Sequence, residues 1–150
     1  MSKSTVPYFH AAIISFITLF YASIFIITSN HMEFNNMLAN GTLQSPFWNG
    51  WSSFIEAGNM KYIGYIMIVL TVIILVTMVI KKQKRYDEYQ LSILKNLLVI
   101  TGIVSLIMLP IVLFILLSDP NYFIETLFLF AVIQSFSVLL GNLVYTFKTI

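Results

Sequence analysis

Polar residues fall in clumps along this chain and leave four long apolar runs, at about 7–28, 62–80, 97–117 and 122–147. Each reaches or nearly reaches the roughly 20 residues with which an α-helix crosses ~30 Å of hydrocarbon at about 1.5 Å per residue. The pattern predicts an all-α membrane protein: a four-transmembrane-helix bundle with a short amphipathic outer helix, in a single integral membrane domain over 1–150. Lys3 ahead of the first run also fits a secretory signal. That run is longer than the usual apolar core of about 7–15 residues and no small-x-small cleavage site follows it, so a retained helix is expected.

Composition points the same way. The chain is 59% hydrophobic and 9% charged, against about 25% charged in soluble domains. A soluble fold of this length leaves roughly a third of its surface in water, so the lipid bilayer is the expected partner of so apolar a surface. The absence of cysteine excludes disulfides, thiolate metal sites and thiol redox chemistry.

Orientation follows from the cations. Lys3, Lys81, Lys82, Lys84, Arg85, Lys95 and Lys148 lie at the termini or between the second and third runs, and Lys61 lies on the other side. The positive-inside bias then predicts cytoplasmic N and C termini, a cytoplasmic connection over 81–96 and an outer segment over 29–61. The net charge of +2 reflects that bias, and no nucleic-acid partner is expected. Lys81, Lys82, Lys84 and Arg85 are expected to hold anionic lipid headgroups, at about 1 kcal/mol per cation. Asp87 and Glu88 are adjacent, and on a helix such neighbours point about 100° apart. A solvated helix start with a Lys84–Glu88 pair at i,i+4 is the expectation, ahead of a metal or acid/base pair. Tyr86, Tyr89 and Ile93 share a stripe if the third helix extends backwards, which fits either a cytoplasmic partner or the membrane surface. Ser118-Asp119-Pro120-Asn121 reads as a tight outer turn joining an antiparallel helix pair.

The outer segment carries its own period. Phe47, Trp48, Trp51, Phe54 and Ile55 form one stripe, with Asn49, Ser52, Ser53 and Glu56 between them, which predicts a helix over 46–57. Ser45 is the expected N-cap, Pro46 the first helical residue and Gly58 the stop. Phe47, Trp48, Trp51 and Phe54 are read either as an interfacial anchor, since Trp and Phe favour the headgroup region, or as a lid and partner interface over the bundle's outer mouth. Met32, Phe34, Met37 and Leu38 predict a further short helical turn, and Asn40-Gly41-Thr42 reads mainly as a turn. Phe47-Trp48-Asn49-Gly50-Trp51 resembles the Trp-containing first outer loop of four-span junction proteins. The paired cysteines that define that pattern are absent, so the resemblance implies nothing further here.

Small residues mark where membrane helices approach closely. The first helix offers Ala11, Ser15, Thr18 and Ala22 on one face, and the third offers Thr101, Gly102, Ser105 and a kink-prone Pro110. The fourth helix places Gln134, Ser135, Asn142 and Tyr145 within one arc, with Val132, Phe136, Leu139 and Leu143 opposite. This intramembrane polar face is expected to look inward, as interhelical glue or as the lining of a solute path. Glu125, within a turn of the outer end, is expected to reach the headgroups or to favour the helix N-terminus.

No catalytic constellation emerges. The midplane carries no ionisable residue of the kind that marks pumps and proton-coupled transporters, and His10 and His31 are separated by the bilayer. No catalytic, cofactor-binding or metal residue is expected, and no cofactor. The reading is a small non-enzymatic polytopic protein acting as an accessory, regulatory or immunity-type subunit through protein–protein contacts in the membrane. Its partner is another membrane protein or a further copy of itself, and the bias to Ile, Lys and Asn fits a bacterial cytoplasmic membrane. The alternative is a small oligomeric transporter, channel or holin-like permeability protein, and a lipid- or quinone-handling enzyme is the third class.

Overall fold

The computed structural model describes residues 6–29, 38, 45–80 and 88–149. Its helices are α1 (Val6–Ser29), α2 (Pro46–Glu56), α3 (Met60–Ile80), α4 (Glu88–Ser118) and α5 (Phe123–Thr149), with a 3₁₀ turn at Pro120–Tyr122 and no strand among the described residues. Four of them, all but α2, are long and apolar enough to cross a membrane. The protein is an all-α, multi-pass membrane bundle.

Helix α4 begins at Glu88, so 88–96 are helical although they precede the apolar run. Hydropathy marks where hydrocarbon begins, whereas the backbone needs only helix formers. Residues 88–96 contain neither Gly nor Pro, and Glu88 in the first turn suits the helix dipole. The helix continues through Pro110, since membrane helices accommodate the missing donor. Asp119 then accepts a hydrogen bond from the backbone N–H of Asn121 at 3.1 Å and starts the 3₁₀ turn into α5. Helices α4 and α5 pack together, as the tight turn predicts.

The closest pairing is between α1 and α3. Ala11, Ser15, Thr18 and Ala22 on α1 are all buried, as their spacing predicts. Opposite them sits Gly64, where a Cβ would stand only 2.8 Å from the Ala22 carbonyl oxygen. Backbones meet here because the side chains are small, the usual route to dispersion contact in lipid. Phe25, Met60, Met67, Ile74 and Leu139 fill the core between these helices and α5. Thr18 and Thr71 are buried among them, and each hydroxyl donates to a carbonyl one turn back, Ile14 or Met67. That local bond satisfies the hydroxyl where no water reaches.

Helix α5 is the hub, packing against α1, α3, α4 and α2. Its polar face looks inward, with Ser135, Asn142 and Tyr145 buried, but the opposite apolar positions are covered as well. Leu139 is fully buried, and Val132, Phe136 and Leu143 pack against the core, while Leu140, Val144 and Phe147 are exposed. In lipid the outside is as apolar as the core, so polarity alone does not locate the buried side. Helix α4 is the opposite case: it packs on α5, and none of its most apolar stretch is buried within the chain.

Candidate functional site: the α2 cap and the polar positions of α5

Helix α2 forms where expected, with Pro46 in its first turn, and ends one residue early at Glu56. Ser45 has the extended backbone of an N-cap, but its side chain makes no capping bond. At the other end Gly58 takes φ +69°, a conformation that suits glycine, and its N–H donates to the Ile55 carbonyl at 2.9 Å.

The apolar stripe of α2 turns onto the bundle. Ser52 and Ile55 are buried, and Trp51 and Phe54 pack against the core. The Trp51 indole N–H donates to the Glu125 carbonyl at 2.9 Å, and Trp51 stacks on Phe54 at 5.6 Å between ring centroids. Trp48 meets Tyr122 edge-on at 5.5 Å, and Phe47 meets Trp48 at 5.3 Å. Of the four aromatic residues read as an interface, Phe47 is the exposed one, at 57%. The rest of the outward surface of α2 includes Asn49, Ser53 and Glu56, so the helix presents a mostly polar face away from the bundle.

Glu125 corrects the headgroup expectation. It lies in the first turn of α5, where a carboxylate is favoured, but it is 0% exposed. Its Oε1 accepts the Ser52 hydroxyl at 3.0 Å. The polar residues of α2 and α5 thus meet in a covered cluster. The sequence signal was a serine set inside an apolar stripe: Ser52 is polar by type and sits on the buried side by register.

Farther along α5 the polar positions serve separate contacts. Gln134 Oε1 accepts the Ser105 hydroxyl of α4 at 2.7 Å. Ser135 is buried, donating to the Val132 carbonyl at 3.1 Å and lying 3.8 Å from the Met67 sulfur of α3. The Asn142 amide donates to the Ala11 carbonyl and to Ser15 Oγ of α1, both at 3.4 Å. Tyr145 is buried beside it. Gln134 therefore ties α5 to α4, and Asn142 ties it to α1.

Two hollows flank α5. Toward the α2 end, a lateral cleft of about 360 Å³ lies between α1 and α5, lined by residues that include Tyr21, Phe25, Leu127 and Phe128. It offers hydrocarbon almost nothing but apolar surface. Toward the far end, a cavity of about 50 Å³ lies where α1, α4 and α5 meet.

Lys81, Lys82, Lys84 and Arg85, with Tyr86 and Asp87, lie outside the described residues, as do His31, the 40–42 turn and all of the further helical turn except Leu38, which is buried. Tyr89 is exposed on the first turn of α4, and Ile93 is half-buried. Among the described residues, no three His, Cys, Asp or Glu side chains come together as a metal site would require. Comparison with known protein families, curated proteins and solved structures finds no match to this chain.

Proposed function

We propose that this protein is a non-enzymatic accessory, regulatory or immunity-type subunit of a cell membrane, with both termini cytoplasmic, acting by contact with another membrane protein. The observation that carries the reading is α4. It packs chiefly along α5, and its Leu98, Ile103, Leu106, Ile107, Phe114 and Leu117 are exposed. A transmembrane helix so placed has most of its surface free to pack on a partner, and in lipid such packing needs only shape and a few polar contacts.

The permeation reading draws its support from Gln134 and Asn142. Both are engaged between helices, which favours their use as glue over the lining of a path. Extraction from the native membrane in mild detergent, with the mass of the complex and the identity of co-eluting proteins, tests the proposal. A stoichiometric different protein, cross-linked from a photoreactive residue at position 103 or 114, supports it. A clean homo-oligomer overturns it and sends the protein to a liposome flux assay. Replacing the exposed Phe47 with Ala in the same extraction separates the two surfaces: capture lost with this change and kept with changes on α4 places the partner on α2.

A further inference from the structure

Pro110 leaves one carbonyl of α4 without its regular partner. A proline has no backbone N–H, so the Leu106 carbonyl, four residues back, loses the donor that an α-helix supplies. The helix keeps its α form on both sides of Pro110, with no 3₁₀ or π turn to re-route the bond. The side chains of α4 cannot replace it. None from Leu106 to Leu117 carries an N–H or O–H group, and the Ser105 hydroxyl is engaged with the Thr101 carbonyl and Gln134 Oε1. Leu106 lies near the middle of the apolar run over 97–117, where no water is at hand and a bare backbone carbonyl is costly.

The carbonyl also lies on the side of α4 that the bundle leaves open. Leu97, Thr101, Ser105, Met108 and Val112 are half-buried and mark the face turned to α5, whereas Leu106 is 73% exposed and Pro110 is exposed. Gly102 precedes these two on the same flank, since positions i, i+4 and i+8 of a helix follow one another along it. A Cβ at Gly102 would meet nothing within 4 Å, so the glycine leaves a notch one turn from the carbonyl. Gly and Pro each weaken a helix, and here neither serves the packing of this chain on itself. Both suit a second helix: the notch lets its backbone approach, and the carbonyl accepts a bond from its side chain. Another α4 would bring no donor to this flank, so pairing of two copies through α4 does not meet the need.

We propose, resting on the accessory reading above, that the partner docks on the flank of Gly102, Leu106 and Pro110 with a transmembrane helix whose hydroxyl or amide side chain donates to the Leu106 carbonyl near the middle of the bilayer. The bond gives the interface a register, because in hydrocarbon only one level of α4 offers a free acceptor. Apolar packing around it supplies contact and no such choice of level.

Binding of designed peptides to the intact protein in liposomes tests this without the native partner. The probes are a polyleucine transmembrane peptide with one central Asn and the same peptide with Leu in its place, each kept dilute in the lipid. Energy transfer to the peptide from a fluorophore at Tyr89→Cys, in a chain with no other cysteine, gives the two affinities. The expected result is a preference for the Asn peptide of about 3–10-fold, the range of interhelical hydrogen bonds in membranes. Pro110→Ala restores the backbone donor and should erase the preference while leaving the affinity of the all-Leu peptide as it was, which a general disturbance of α4 would not do. Gly102→Leu starts in open space, fills the notch and should weaken binding of the Asn peptide. Equal affinity of the two peptides for the wild-type protein, a preference that survives Pro110→Ala, or wild-type binding by Gly102→Leu would overturn the proposal. Co-elution tests the accessory reading and the peptide preference tests the acceptor, so either can fail without the other.

Discussion

The hydroxyl of Ser52 donates to the carboxylate of Glu125 across a buried contact of 3.0 Å between two residues 73 positions apart. This bond fixes which way α2 faces. A helix whose stripe is made of Trp and Phe would lie equally well in a headgroup layer, and what turns it onto the bundle is a polar pair that is satisfied only there. The Trp51 indole adds a second anchor on the same residue, at its backbone carbonyl.

Removing one member of the pair should therefore loosen α2. Ser52→Ala is expected to destabilise the protein by about 1–3 kcal/mol, the usual cost when a buried polar group is left without its hydrogen-bond partner. Glu125→Leu should cost at least as much, and the double variant less than the sum, because the two side chains share one interaction. Thermal unfolding in detergent of the four proteins measures the coupling. Strict additivity would mean that the contact contributes nothing.

Two glycines in membrane helices should respond oppositely to the same change. A methyl group at Gly64 would meet the Ala22 carbonyl and Ile26 Cγ1, both at 2.8 Å, and a backbone carbonyl cannot step aside, so Gly64→Ala should cost about 1–3 kcal/mol. At Gly102 a Cβ meets nothing within 4 Å. Gly102→Ala should be neutral or stabilising by up to about 1 kcal/mol through helix propensity. Melting temperatures of the pair, measured side by side, give the comparison.

The attachment of α4 offers a third test. Gln134→Leu removes the interhelical acceptor of the Ser105 hydroxyl, which keeps the Thr101 carbonyl of its own helix at 3.0 Å, so the loss should be at most about 1 kcal/mol. Proteolysis within α4, or hydrogen exchange along it, should rise while α1 and α3 stay protected. On the proposed function, solute flux in liposomes should not change with this substitution. A change in flux at equal incorporation would favour the permeation reading.

Gly58→Ala examines the end of α2. Its φ of +69° places an added Cβ in the left-handed region, at about 1–2 kcal/mol, and also 3.0 Å from the Ser29 carbonyl. Stability should fall by at least the first amount. Ser53→Ala, on the exposed face of the same helix, should leave it unchanged.

Much of the fold was legible because its signals are one-dimensional. The four apolar runs, the Pro46 start and Gly58 stop of α2, and the small face of Ala11, Ser15, Thr18 and Ala22 all depend on local spacing. What escaped depends on which helix meets which. Gly64 was passed over because a lone glycine is informative only when Ala22 stands opposite it. Glu125 was expected either to reach the headgroups or to favour the helix N-terminus; its place in the first turn fits the second, but its burial is set by α2 lying over it, and nothing near position 125 encodes that cover. That the apolar positions opposite the polar face of α5 are covered too was not legible for a related reason: a helix packed against four others has no single inside. The polar residues of α5 were recognisable as glue, but their separate partners, Ser105 for Gln134 and Ala11 with Ser15 for Asn142, required the packing itself.

The position of α5 as the hub also orders the assembly of the chain in time. Translation delivers α1, α2 and α3 before α4 and α5, and α1 and α3 can pair through Gly64 as soon as both are in the bilayer. Helices α2 and α4 are both made before α5, on which each docks. The buried carboxyl group that receives Ser52 and the amide that receives Ser105 both arrive with α5. Until then the bonds that turn α2 onto the bundle and tie α4 to it are missing, and a ribosome halted before α5 would leave α1 and α3 joined without either tie.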